Sequence, residues 1–193
     1  MRHHKHGAIA ALALVFLLSA ASDLRAQSFI SPFIGFNFGG DSGCPTISDC
    51  DDKRLNAGVG IGKMGSILGF ELDLGYAKDF FGDAPAYSSS VVTVMGNVMI
   101  VPDLGPVRPY ALAGLGILKT HVELTPDSLL NSDNTDLGWD LGGGVFIFFG
   151  EHVGVRGDIR YFHSFQDLEV LGVPLSETKL DFGRASAALA LKF

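Results

Sequence analysis

The sequence predicts an all-β fold, an eight-stranded antiparallel up-and-down transmembrane β-barrel. Three observations predict it: eight segments of alternating hydrophobicity, a regular alternation of long and short connections, and an unusual composition. The chain has 193 residues, of which 25 are Gly and 15 are Phe, whereas Lys and Arg together number only 14. A composition rich in Gly and Phe and poor in Lys suits a sheet with one face out of water.

Residues 1–26 predict a secretory signal peptide. A positively charged start precedes the apolar run Ala8–Leu18, which is too short to cross a bilayer as a helix. We expect cleavage after Ala26, with Ala21 as the second choice, which leaves residues 27–193 as the barrel domain. An uncleaved N-terminal membrane anchor is the alternative.

The charge of the mature chain excludes one class of partner. Cleavage would remove Arg2, Lys5, Arg25 and Asp23, so that 11 basic and 20 acidic residues remain, a net charge of −9. Such a surface repels phosphate backbones, and we therefore expect no nucleic-acid partner. No later segment has the length of a membrane helix, so the destination is the periplasm, the cell exterior or the outer membrane.

Eight segments alternate between apolar and polar residues with a period of two. Each has at least the roughly 9–11 residues that a tilted strand needs to cross the hydrocarbon layer. The predicted strands are Phe29–Phe38, Leu55–Met64, Ile67–Ala77, Ser89–Ile100, Tyr110–Val122, Leu137–Phe148, Val153–His163 and Asp181–Phe193. The first and fifth alternate poorly, which leaves their register open.

The size of the polar residues decides which row faces the lumen. A soluble barrel of the lipocalin type would place the apolar row inside. Here the polar rows are mostly Gly, Ala, Ser and Asn with a few charges of both signs, and Gly weakens a water-facing strand. The lumen of an eight-stranded barrel is only wide enough for its own side chains, so the small polar row fits inside. The apolar row is then expected to face lipid.

Connection lengths agree with a barrel whose N-terminus is periplasmic. Long connections are expected outside the cell and short ones in the periplasm. The long ones are Gly39–Arg54, Lys78–Ser88, Glu123–Asp136 and Ser164–Leu180, and the short ones are Gly65–Ser66, Val101–Pro109 and Phe149–His152.

Aromatic residues fall at both ends of the predicted strands. Such residues form girdles at the two membrane–water interfaces of transmembrane barrels. We expect Tyr76, Trp139 and Tyr161 at the long-loop end, and Tyr110, Phe149 and Phe193 at the short-turn end.

Three stretches carry a resemblance to a known family: Arg108–Gly116 (RPYALAGLG), Val155–Tyr161 (VRGDIRY) and the terminal Phe193. With them the region Gln27–Phe193 resembles the small outer-membrane β-barrels, the OmpA/OmpX-like "porin family" proteins. The resemblance implies a place in the bacterial outer membrane among its lipids. It also implies that Phe193 is the signal that the outer-membrane assembly machinery reads.

Two cysteines and an acidic loop are the first candidate site. Cys44 and Cys50 lie in the first long connection, and a disulfide between them is expected in an exported protein. A metal site is the weaker interpretation, since two thiols lack further clustered ligands. Ca²⁺ binding by neighbouring aspartates stays open, because their spacing matches no known loop. We expect no metal and no cofactor.

Inward-facing charges are the second candidate site. Lone charges in a narrow lumen would be costly, so a paired network is expected. Its predicted members are Glu71, Asp73, Asp140, Arg156, Asp158, Arg160, Arg184 and Lys192. The network is either a structural plug or the selectivity element of a narrow pore. The plug is favoured because eight strands leave no open pore.

An enzyme is the third class of function. Small outer-membrane lipid A deacylases pair a His with a Ser on one face, and the nearest match here is His163–Ser164. Adjacent strand residues point to opposite faces, so this pair is not expected to cooperate. His121 and Glu123 share a face but no nucleophile accompanies them. The sequence therefore predicts a monomeric, non-enzymatic outer-membrane barrel with a structural or surface-interaction role.

Overall fold

A computed structural model describes residues 27–40, 42, 55–80, 87–124, 130–170 and 173–193. The predicted signal peptide and the predicted disulfide between Cys44 and Cys50 lie outside the described residues and stay predictions. No helix among the described residues is long and apolar enough to cross a membrane.

The chain forms one closed barrel of eight antiparallel strands, as the sequence predicts. Each strand pairs with the next, and β1 pairs with β8 to close the sheet. The strands are β1 Gln27–Phe38, β2 Leu55–Met64, β3 Leu68–Lys78, β4 Tyr87–Ile100, β5 Val107–Leu124, β6 Leu130–Phe148, β7 Val153–Val170 and β8 Val173–Lys192.

The last four strands are longer than the sequence predicts. They have 18, 19, 18 and 20 residues, whereas β1 to β3 have 12, 10 and 11. The predicted loops Glu123–Asp136 and Ser164–Leu180 are therefore largely strand, a correction to the sequence interpretation. A strand with water on both faces needs no apolar row, so it lacks the apolar–polar alternation on which strand prediction depends.

The exposed row of the strands is mainly apolar and faces outward, and the charged residues of the strands face the lumen. In β3, Leu68 and Leu72 are 57% and 45% exposed, whereas Glu71 and Asp73 are buried. Because the exposed row is apolar over the whole circumference, the outer surface suits hydrocarbon rather than water.

The register of β1, which the sequence leaves undecided, follows from its packing against β2. Phe29 and Phe33 point inward and are buried, although they are large apolar residues. Gly62 and Gly58 on β2 leave the space for them. A Cβ at Gly58 would overlap the Phe33 ring, and one at Gly62 would lie 2.8 Å from Phe29 Cε1.

Candidate functional site: the barrel lumen

The lumen holds a buried layer of seven charged side chains, all on the predicted list. They come from β3, β6, β7 and β8, and each is at most 5% exposed: Glu71, Asp73, Asp140, Arg156, Asp158, Arg160 and Arg184. Four carboxylates and three guanidinium groups give the layer a formal net charge of −1.

Arg160 is the centre of this charged layer. Its guanidinium group donates to Glu71 Oε1 at 2.6 Å and to Asp158 Oδ1 at 2.8 Å. The same group lies 3.4 Å from an Asp73 oxygen and 3.6 Å from an Asp140 oxygen. One arginine on β7 therefore contacts all four carboxylates.

The other two arginines complete the pairing. Arg156 donates to Glu71 and, at 3.1 Å, to Asp158 Oδ2. Arg184 Nη2 donates to both oxygens of Asp73 at 2.8 Å. Every acid in the layer thus has a cationic partner, which offsets the large cost of removing these charges from water.

Neutral polar groups bind the same charges. Tyr110 donates its hydroxyl hydrogen to Asp158 Oδ2 at 2.6 Å and accepts from Arg156 Nε at 2.6 Å. With its amide turned to satisfy both neighbours, Asn97 donates to Asp140 Oδ1 at 2.7 Å and accepts from Arg160 Nη1 at 3.0 Å.

The position of Tyr110 corrects the predicted girdle. Tyr110 is 6% exposed and lies in the lumen, not at the membrane interface. In β5 the inward row includes Leu112 and Leu118 and the outward row includes Ala111 and Ala113, so hydrophobicity does not distinguish the two faces. A buried tyrosine needs a hydrogen-bond partner for its hydroxyl group, and this need would have been the signal that Tyr110 belongs in the polar lumen.

The remaining girdle residues lie on the outer surface or at its ends. Tyr76 and Tyr161 are 50% and 41% exposed, and the ring of half-buried Trp139 lies 5.8 Å from that of Tyr161. At the opposite end, Phe149 and Phe193 are exposed.

Lys192 is the second correction. It is buried on the lumen side but lies at the short-turn end, where its Nζ is 4.1 Å from the centre of the Phe148 ring. Lys192 is the last inward-facing residue of β8 and lies four residues beyond Ala188, which pairs with Arg156. The lysine is therefore too far along the strand to join the charged layer.

Apolar side chains pack in the lumen on both sides of the charged layer, a feature that the sequence interpretation missed. The turn-end layer contains Phe29, Met64, Met99, Phe146 and Phe148. The loop-end layer contains Phe80, Leu118, Phe162, Leu180 and Phe182. The signal was present in the sequence, because these residues continue the inward rows that carry Asp140, Arg160 and Arg184.

The apolar layers contact the charges directly. The Arg156 guanidinium lies 4.8 Å from the ring centre of Phe146, and that of Arg184 lies between Phe33 at 4.5 Å and Phe162 at 4.9 Å. Such stacking is favourable for arginine.

Phe80 enters the lumen from the loop end. It follows Asp79, which has a left-handed φ of 52°, a conformation that Asp adopts more readily than most residues. Phe80 is 1% exposed, and its ring packs edge-on against Phe182 at 4.8 Å. The chain leaving β3 therefore supplies part of the loop-end layer.

Glycines in the inward rows make room for the charged groups. A Cβ at Gly114 would overlap Asn97 Oδ1 and would lie 2.5 Å from Asp140 Oδ1. At the outward-facing Gly157 a Cβ would meet nothing within 4 Å.

The pair that resembles a deacylase motif is divided between two faces. His163 is half-buried on the outer surface, with its ring 5.6 Å from that of Trp139. Ser164 is fully buried in the lumen, where its Oγ accepts from the backbone N–H of Leu180 at 2.9 Å. His121 is half-buried, and the side chain of Glu123 is outside the described residues.

Comparison with known proteins agrees with this architecture. Residues 8–193 match the family model described as "Outer membrane protein beta-barrel domain". No curated protein matches the sequence.

Solved structures with the same fold are distant in sequence. Neisserial surface protein A is 19% identical with a TM-score of 0.63, over 88% of this chain and 99% of that one. A major outer-membrane protein of Thermus thermophilus is 16% identical with a TM-score of 0.60, over 87% and 99%. Ail, the attachment invasion locus protein of Yersinia pestis, is 11% identical with a TM-score of 0.55, over 87% and 98%.

Proposed function

The chain belongs to the outer-membrane protein β-barrel domain family, and on that premise we propose that it is a non-enzymatic barrel with a structural or surface-interaction role and a closed lumen. Membership of the family implies a place in the bacterial outer membrane. The closed lumen and the specific role are our own proposal.

The observation that carries the proposal is the order of layers along the lumen. A charged layer in which every acid contacts an arginine lies between two apolar layers, and its arginines stack on aromatic rings from both. A channel for ions needs a continuous polar path, whereas apolar constrictions favour dewetting. The lumen therefore acts as the core of the protein and leaves its loops to meet the exterior.

A surface role is supported by the length of β5 to β8, which extend beyond the outer aromatic residues. Barrels of the same fold are named a surface protein in Neisseria and an attachment invasion locus protein in Yersinia pestis. Those names concern those proteins. For this chain they favour the exterior as the place of action.

Planar-bilayer recording tests the closed lumen against the narrow pore. The mature protein is expected to give no steady channels. Single-channel steps whose conductance changes in Arg156→Ala or Asp158→Ala would refute the closed lumen and favour the pore. Mass spectrometry of lipid A with and without expression tests the enzyme, and a new acylation pattern would refute a non-enzymatic role.

Further parts of the proposal concern export and assembly. We propose that residues 1–26 are removed on export, that Phe193 is read by the assembly machinery, and that the mature barrel is a monomer. Deletion of Phe193 is expected to abolish the heat-modifiable form on gels. Normal assembly without Phe193 would contradict its role as the signal.

A further inference from the structure

The outer face of β5 to β8 carries a groove on the surface that meets lipid. Its volume of about 640 Å³ lies within the range of roughly 300–1,000 Å³ that is usual for small-molecule sites. Most of its lining is apolar. The residues that define this outer groove are Phe38, Ala111, Leu141, Ile159, Tyr161 and Gly183.

Small residues account for the groove. Ala111 pairs with Gly143, and Gly143 pairs with Ile159, so that two small residues lie beside a large side chain of β7. Gly183 of β8 has no side chain, and the Phe38 ring lies against it, where a Cβ would be 2.5 Å from the ring. The outer surface is therefore low at the small residues and high at Ile159 and Phe38.

The groove extends from the loop end of the barrel toward the turn end. Gly39 and Gly40, which follow β1 at its loop end, line it, and Ala111 lies near the start of β5 at the turn end. In an outer membrane this part of the outer surface is in contact with acyl chains. Water in an apolar groove would lack hydrogen-bond partners, so a lipid chain is the occupant that suits it.

An aromatic cluster adjoins the groove, and its members are Trp139, Tyr161, His163 and Asp181. Tyr161 donates its hydroxyl hydrogen to Asp181 Oδ2 at 2.9 Å. The ring centres of Trp139 and His163 lie 5.8 and 6.3 Å from that of Tyr161. Asp181 pairs with His163 between β8 and β7. A Cβ at Gly40 would overlap the Asp181 carbonyl oxygen, so the loop end of the groove reaches the cluster.

The cluster combines groups that suit a sugar. A sugar ring has an apolar C–H face, which packs on aromatic rings such as those of Trp139 and Tyr161, and hydroxyl groups, which donate to a carboxylate. A carboxylate has about four acceptor sites, so Asp181 can serve Tyr161 and a sugar hydroxyl together. The same carboxylate repels the phosphate of a phospholipid head group.

Tyr161 belongs to both the outer groove and the aromatic cluster, so the two form one continuous surface. A phospholipid would match the groove alone, and a free sugar would match the cluster alone. A lipid with a saccharide head group matches both. A second copy of the barrel related by twofold symmetry would place groove against groove and leave both unfilled.

We propose that the outer groove and the aromatic cluster together bind one saccharide-headed lipid of the outer leaflet. An acyl chain lies in the groove, the sugar ring packs on Trp139 and Tyr161, and a sugar hydroxyl donates to Asp181. The inference rests on the outer-membrane location in the proposed function and adds a lipid partner to it.

The test uses the emission of Trp139, which is the only tryptophan of the chain. The mature protein is placed singly in nanodiscs of phosphatidylcholine that contain an increasing fraction of one brominated lipid, since bromine on an acyl chain quenches tryptophan on contact. The brominated lipid is either a glucosyl diacylglycerol or a phosphatidylglycerol with identical chains.

Three variants separate the two halves of the site. Ala111→Phe fills the groove, whereas Ala57→Phe adds the same ring at an exposed position of β2 outside it. Asp181→Ala removes the carboxylate, and Asp181→Asn replaces it if that variant does not fold. Heat-modifiable migration checks that each variant is a barrel.

In the wild type and Ala57→Phe, the glucosyl lipid is expected to quench Trp139 saturably and more strongly than phosphatidylglycerol. Unbrominated glucosyl lipid should reverse the quenching. Ala111→Phe should lose the difference between the lipids. In Asp181→Ala the glucosyl fraction at half-quenching should rise roughly tenfold, the value of one hydrogen bond to a charged group.

Equal quenching by the two lipids in the wild type, stronger quenching by phosphatidylglycerol, or the same loss in Ala57→Phe as in Ala111→Phe would overturn the inference. Saturable quenching that disappears when two barrels share a nanodisc would assign the groove to a second copy and would also overturn it. Channel activity in bilayers would overturn the closed lumen and leave the lipid preference unchanged, so the two proposals fail separately.

Discussion

Removal of the Glu71 carboxylate is the most informative perturbation of the charged layer. Glu71 is 3% exposed and accepts hydrogen bonds from Arg156 and Arg160. Its loss leaves both buried guanidinium groups with fewer partners. Breaking a buried pair in this way costs about 3–5 kcal/mol.

Asp103 is the matched control. It pairs with Arg108 at 2.9 Å, but its side chain is 48% exposed in the short connection between β4 and β5. Exposed pairs contribute only about 0–1 kcal/mol. Glu71→Ala and Asp103→Ala therefore each remove one acid from an arginine pair, and the acid is buried in the first pair and about half exposed in the second.

Urea unfolding in lipid vesicles, followed by the loss of the heat-modifiable form, measures the difference. With an m-value of about 2 kcal/mol/M, Glu71→Ala is expected to lower the midpoint by about 1.5–2.5 M and Asp103→Ala by less than about 0.5 M. Equal midpoints for the two variants would refute the conclusion that the buried pairs hold the lumen together.

Further predictions concern the inward glycines and the first loop. Gly114→Val is expected to destabilise the barrel by more than about 2 kcal/mol in the same urea assay, because its Cβ would overlap Asn97, whereas Gly157→Val on the open outer face should change stability by less than about 1 kcal/mol. A similar loss in both variants would contradict the assigned facing. Cys44→Ser is expected to leave Cys50 reactive toward a maleimide without reductant, whereas the wild type should react only after reduction. Reaction of the unreduced wild type would exclude the disulfide.

The sequence predicts the membrane-spanning part of this fold because two constraints act there at once. A strand between lipid and a narrow lumen must alternate apolar with small or paired polar residues, as β3 does with Leu72 beside Glu71 and Asp73. Period-two counting therefore finds the strand, its face and the buried charges. Above the membrane neither constraint applies, so the extension of β6 to Leu130 gives no such pattern.

The pairing inside the lumen could not be obtained in the same way. Which strand faces which across the barrel depends on the stagger of the sheet, so the four contacts of Arg160 require coordinates. Tyr110 shows a second limit, because an amphipathic ring suits both a membrane interface and a polar lumen. Its neighbours on β5 do not distinguish the two, and its hydrogen bonds to Arg156 and Asp158 do.

We propose that two apolar layers seal the charged layer of the lumen from water. Thiol accessibility at Thr93, a 4% exposed residue of the inward row of β4, tests it most directly. Thr93→Cys is introduced into a chain whose Cys44 and Cys50 are both replaced by Ser, with an exposed control at Gly39→Cys. The structure predicts that a water-soluble methanethiosulfonate labels position 39 at once and position 93 only after unfolding in urea. Rapid labelling of position 93 in the folded barrel would contradict the sealed lumen.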